Sequence, residues 1–222
     1  MAAKGQVLYD DSENQTNYVL NFNNGSQVGD QIFLANYLTY PYLTSFSLEY
    51  YSPDSTFNGS VQMDVSFYLN NGTLFNGYHS PGGLFYDTGY FSIQTPQQAE
   101  GQHSAVLSFN TADLYSAGLA ATPMSTSFQM PSNFTVVVTF AGLAGPDSVG
   151  LNDFEPPTVG TNYGDYWLYS GSSWELLTNS TPIGFGMVFN AQAQPTPEPT
   201  TLCLAAVGGA LLAGFARRRR RQ

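Results

Sequence analysis

Basic residues are nearly missing from this chain of 222 residues. Lys4 stands near one end, Arg217, Arg218, Arg219, Arg220 and Arg221 form a run at the other, and no Lys or Arg lies between them. The formal net charge is −10, but residues 1–194 hold 15 acidic groups against Lys4 alone and so carry −14. A body without cations has nothing to neutralise phosphates, which excludes nucleic-acid binding and the usual nucleotide chemistry. Cysteine is reduced to Cys203, so no intrachain disulfide can brace the fold. Histidine is reduced to His79 and His103. Cysteine-type metal sites are thereby excluded from the body, and a histidine-rich zinc or iron site is not expected. A nucleophile-elbow pattern is also lacking. A Ser-His-Asp set stays open, since its members meet only in space, and carboxylates are present in number without one pair standing out. The expectation is a non-catalytic body.

What is present is aromatic, glycine-rich and proline-rich: 15 Tyr, 16 Phe and 2 Trp, with 22 Gly and 13 Pro. That mixture favours strands and turns over helices. In 60–69, Val61, Met63, Val65, Phe67 and Leu69 alternate with polar neighbours, the pattern of a half-buried strand. Residues 44–51 alternate likewise, and Phe134, Val136, Val138 and Phe140 form a further stripe. Other strands are expected at 18–22, 84–86, 90–93, 105–109, 125–130, 166–169, 174–177 and 185–190, with one short helical piece at 111–117. Asn70-Asn71-Gly72-Thr73 and Ser170-Gly171-Ser172-Ser173 read as hairpin turns. The fold class expected is all-β: a single jelly-roll-like β-sandwich over residues 1–192, followed by a short C-terminal transmembrane helix.

The C-terminal 30 residues differ in kind. Alternate prolines from Pro195 make an extended linker, and 200–216 is an uncharged stretch that as a helix would be about 25 Å long, just enough to span a bilayer. The five arginines that follow would stay cytoplasmic and leave the acidic body on the other side. Pro197-Glu198-Pro199, the apolar stretch and the arginine cluster together resemble the PEP-CTERM sorting signal of exported bacterial proteins. The resemblance implies export, recognition of Pro197, Glu198 and Pro199 by an exosortase-type membrane protease, and cleavage near that motif. The helix would then be a transient anchor, and the body would end on the cell surface or in the extracellular matrix. The same kind of tail is also labelled an ice-binding-protein C-terminal domain, a label for the tail that says nothing of ice. Export calls for a signal peptide, and Met1–Asp10 has no apolar run of that length. The expectation is that the start is internal to a longer reading frame.

The body more loosely resembles the choice-of-anchor ectodomains found ahead of such tails. The residues concerned are Val28-Gly29-Asp30-Gln31, Val65-Ser66-Phe67-Tyr68 with Leu84-Phe85-Tyr86-Asp87-Thr88-Gly89, and Pro156-Pro157 leading into Asp165-Tyr166-Trp167. That resemblance implies one exported β domain and supplies no catalytic residues.

Two constellations could bind something. Asp10, Asp11 and Glu13, with Asp153 and Glu155, group hard oxygen ligands of the kind calcium uses, though without EF-hand spacing. The readings left open are a structural calcium and an acidic edge facing solvent; no other cofactor is expected. Around 163–174, alternation that turns Tyr166 and Leu168 to the core turns Trp167 and Tyr169 outward, near Trp174. Such rings either stack on the sugars of an exopolysaccharide or pack under a loop. A carbohydrate-binding module is therefore the alternative function, with polysaccharide hydrolysis and ice binding behind it.

Overall fold

A computed structural model describes residues 5–96, 103–110, 129–178 and 182–193. The expected helical piece at 111–117, most of the strand at 125–130 and the whole tail from 194 onward, with the apolar stretch 200–216, lie outside the described residues. Among the described residues there is no helix, and none therefore long and apolar enough to cross a membrane.

The described residues are all-β, and two large antiparallel sheets and one small hairpin account for their strands. The first sheet runs β1 (Gln6–Asp10), β15 (Met187–Gln192), β4 (Tyr42–Tyr51), β12 (Gly150–Phe154), β2 (Gln15–Asn21), with β10 (Ser104–Asn110) also on β4. The second runs β14 (Trp174–Leu177), β13 (Thr161–Tyr169), β3 (Gln27–Phe33), β11 (Asn133–Ala141), β5 (Gln62–Tyr68), β8 (Leu84–Asp87), with β9 (Phe91–Ser92) on β5.

The alternating stripes become the shared core. On β5, Met63, Val65 and Phe67 face inward, and so do Phe134, Val136, Val138 and Phe140 on β11. From the first sheet come Phe46, Leu48 and Tyr50 of β4 and Met187, Phe189 and Ala191 of β15. Rings interlock across the gap: Phe46 meets Phe67 at 5.1 Å between centroids, and Phe189 meets Phe67 and Phe134 at 5.5 Å each. Edge-on and tilted ring pairs of this kind add to the area they bury.

Two turns were expected and one is where the sequence places it. Ser170–Ser173 closes the β13–β14 hairpin, with the Ser170 N–H on the Ser173 carbonyl at 3.1 Å. The reversal expected at Asn70–Thr73 occurs later, at Asn76-Gly77, where φ is 49° and 90°. Both values are left-handed, as a two-residue hairpin turn requires. Residues 69–73 instead run on alongside 80–83, with Leu69 N–H bonded to the Gly83 carbonyl and Ser80 N–H to that of Thr73. The resulting arm, tipped by β6 (Leu74–Phe75) and β7 (Tyr78–His79), folds back over the second sheet.

Candidate functional site

Acidic side chains collect between the two sheets. Asp30 occupies the middle of β3, in register with Val136 of β11 and Tyr166 of β13, on the face that carries the core residues Val28 and Ile32. It is 0% exposed. Asp11, immediately after β1, is 1% exposed, and so is Asp153 on β12. Glu155 follows β12 and is half-buried.

The segment 182–186 ties these residues together as it crosses from one sheet to the other. Ile183 N–H donates to the Gly164 carbonyl at 3.0 Å, and Glu49 N–H donates to that of Gly186 at 2.8 Å. Between those anchors, Gly184 N–H donates to Asp153 Oδ1 at 2.8 Å and Phe185 N–H to Asp30 Oδ2 at 3.1 Å. Gly184 is needed here because a Cβ would stand 2.2 Å from Asp11 Oδ2, 2.5 Å from the Phe154 carbonyl oxygen and 2.6 Å from Asn162 Nδ2. Asn162 donates from Nδ2 to Glu155 Oε1 at 2.7 Å, and the Tyr9 hydroxyl donates to Asp11 Oδ2 at 3.3 Å. Asp11 Oδ1 and Asp30 Oδ1 remain buried without a hydrogen-bond partner.

Like charges held this close out of water disfavour ionisation. Burial, then the neighbouring Asp30 and Glu155, pushes the Asp11 carboxyl up to about 9. Burial also raises Asp30 well above the usual carboxylate range, with the Phe185 N–H pulling the other way. Asp153 and Glu155 are raised too, chiefly by burial. Among the described residues no three His, Cys, Asp or Glu side chains already stand as a metal-holding group.

Of the acids singled out in the sequence, Asp11, Asp153 and Glu155 come together, and Asp10 and Glu13 do not. Asp10 Oδ1 accepts the Ser12 N–H at 3.2 Å and hydroxyl at 2.7 Å, closing its own turn, and Glu13 is exposed. Asp30 was missed as a site residue. Its one signal is an acid set, with Gln31, between Val28-Gly29 and Ile32-Phe33, an apolar frame for a charged side chain.

The aromatic constellation is also redrawn. Trp167 does face away from the core, but it is 1% exposed, because the arm lies on it and brings Phe75 to 5.8 Å. Outward orientation is set by β alternation, whereas accessibility depends on what folds over the sheet. Tyr169 and Trp174 stay half-buried, their rings 5.2 Å apart, and Tyr68 of β5 reaches Trp174 at 5.9 Å. Nearby, Asp64 is raised to about 6 by burial and by its hydrogen bond with Asp87. The histidines stand apart: His79 Nδ1 lies 3.1 Å from the Gly72 carbonyl oxygen on the arm. His103 flanks a groove of about 600 Å³ on the first sheet, with Glu49, Tyr51 and Asn152.

Residues 195–221 match the family model of the PEP-CTERM protein-sorting motif. The chain carries a PEP-CTERM sorting signal. The match contains Pro197-Glu198-Pro199, the apolar stretch and the five arginines, the three features on which the resemblance rested. It marks the chain as a bacterial exosortase substrate, sorted to the cell envelope and surface. No curated protein and no solved structure matches the chain. The PEP-CTERM signal thus speaks for the tail, and the body has to be read from its own residues.

Proposed function

We propose that this is a non-catalytic surface or extracellular-matrix protein, whose jelly-roll-like β-sandwich is delivered by exosortase-type processing of its tail. The observation that carries the reading is the sorting motif at 195–221 behind an almost cation-free body. In this reading Pro197, Glu198 and Pro199 are recognised by the protease, and residues 200–216 hold the chain in the bilayer while it is cut. Arg217 to Arg221 keep the far end cytoplasmic. A surface rich in amides and hydroxyls, whose charges are almost all negative, suits a protein that must stay soluble outside the cell. Mass spectrometry of the C-terminus of surface material tests it. The expected result is a mature chain ending close to 197–199; an intact arginine tail on that material would overturn the reading.

A second reading is supported by Tyr68, Tyr169 and Trp174 converging beside the Asp64–Asp87 pair. Half-exposed rings next to carboxyls suit the stacking and hydroxyl bonding of a sugar. If the patch binds exopolysaccharide, Trp174→Ala lowers affinity on a glycan array at least tenfold, whereas Val106→Ala on the exposed strand β10 leaves it unchanged. Equal binding by both variants would remove this reading.

A further inference from the structure

We propose that the buried carboxylates of Asp11 and Asp30 hold a calcium ion that ties the two sheets together. Two carboxyl oxygens are orphaned in the interior. Asp11 Oδ1 and Asp30 Oδ1 are buried, belong to carboxyl groups on different sheets, and accept no hydrogen bond. An ionised carboxylate out of water costs several kcal/mol unless a positive charge or a full set of donors offsets it. The body has no lysine or arginine between Lys4 and Arg217, so no side-chain cation of Lys or Arg type can come from within it. The charge that would compensate ionised carboxylates here therefore comes from outside the chain.

The surroundings favour a hard, oxygen-seeking cation. Asp11 Oδ2, the Phe154 carbonyl oxygen and the Asn162 amide all crowd the bare side of Gly184, which brings further oxygens close to the Asp11 carboxylate. Calcium takes six to eight oxygens and accepts carbonyl and amide oxygens beside carboxylates, so two carboxylates suffice and a third is not required. Asn162 keeps its amide nitrogen on Glu155 Oε1 and so braces the site without being a ligand, and waters complete the set. Asp153 and Glu155 then act from behind. Their oxygens are occupied by Gly184 N–H, the Thr16 hydroxyl and Asn162, which hold the cradle in shape. Magnesium, which demands near-octahedral geometry and keeps its waters, fits a mixed and buried set less well. Such a site belongs to the folded body and does not depend on how the tail is processed.

The test is thermal unfolding of the full chain at neutral pH, in chelator, in 10 mM calcium and in 10 mM magnesium. Sites of extracellular modules bind calcium at roughly 0.1–1 mM. Ligand linkage then gives a melting temperature about 3–10 °C higher in calcium than in chelator, with a smaller rise in magnesium. Terbium luminescence excited through Tyr9, whose hydroxyl is 3.3 Å from Asp11 Oδ2, supplies a second readout. Asp30→Asn keeps the shape and removes a buried charge. It should fold, melt at or above the wild type in chelator, and lose both the calcium shift and the terbium signal. Asp10→Asn with Glu13→Gln should keep both. No calcium shift in the wild type, a shift that survives Asp30→Asn, or one abolished by the Asp10 and Glu13 changes would each overturn the proposal. The first would mean that protons neutralise the pair, and the last that the acidic surface binds calcium diffusely.

Discussion

Phe67→Ala should lower the melting temperature by roughly 10 °C, the largest loss expected from any single truncation in the body. Phe67 is fully buried on β5, and its ring meets five others: Phe46 and Phe189 from the first sheet, Phe85, Tyr86 and Phe134 from the second. Truncating a buried Phe to Ala costs about 3–5 kcal/mol, because neighbours close only part of the cavity. With no disulfide available, that is at least about a fifth of the roughly 5–15 kcal/mol that holds a domain folded. Phe67→Leu retains most of the volume and should cost about a third as much. Circular dichroism melts of the wild type and both variants check this. A shift below about 2 °C for Phe67→Ala would show that the two sheets do not share this core.

Replacing all five of Arg217 to Arg221 by Gln should cut the processed surface form at least tenfold. Each arginine costs about 2.5–3.5 kcal/mol to place at the centre of a membrane helix. Each also loses about 2.3 kcal/mol per 100 mV if carried out against the membrane potential. Five such charges make release of the tail through the bilayer very unfavourable. Five glutamines carry no charge, so the potential no longer opposes passage and the apolar stretch can slip outward before it is cut. Unprocessed chain with residues 217–222 intact should then appear in the medium, identified by mass spectrometry. Five lysines should restore processing, because the hold is one of charge, and Arg219→Gln alone should change little. Normal processing of the five-glutamine chain would mean that the arginines do not set its orientation.

The strands that could be read from the sequence are those that alternate. β4 and β5 bury one face more deeply than the other, and on β11, buried on both faces, Phe134, Val136, Val138 and Phe140 still recur at every second residue, so a period of two survives in the sequence. Five of the described strands escape the sequence pattern, β1, β3, β6, β7 and β12, and of these β3 and β12 are buried on both faces. Gln-Val-Gly-Asp-Gln-Ile-Phe and Gly-Leu-Asn-Asp-Phe place amides, acids and glycine where a central strand should have apolar residues. Asp30 and Asp153, at the heart of the acidic cluster, lie on those two strands. Local pattern breaks down where the chain spends stability on a site, so the gap in the reading coincides with the site itself.

What the sequence determined unaided is the composition-level outcome. Without cations or cysteines the body cannot grip phosphate or brace itself with disulfides, and its alternating aromatics make it all-β. The tail declares its own sorting, because its information is linear: a tripeptide, an apolar stretch and a charge run in order. Tertiary structure alone decided which acids meet and which rings stay open. Asp11 and Asp30 are brought together from different sheets by the crossing segment at 182–186, and Trp167 is sealed by an arm from ninety residues away in the sequence. Both depend on contacts between distant parts of the chain, for which neither residue type nor spacing leaves a local trace.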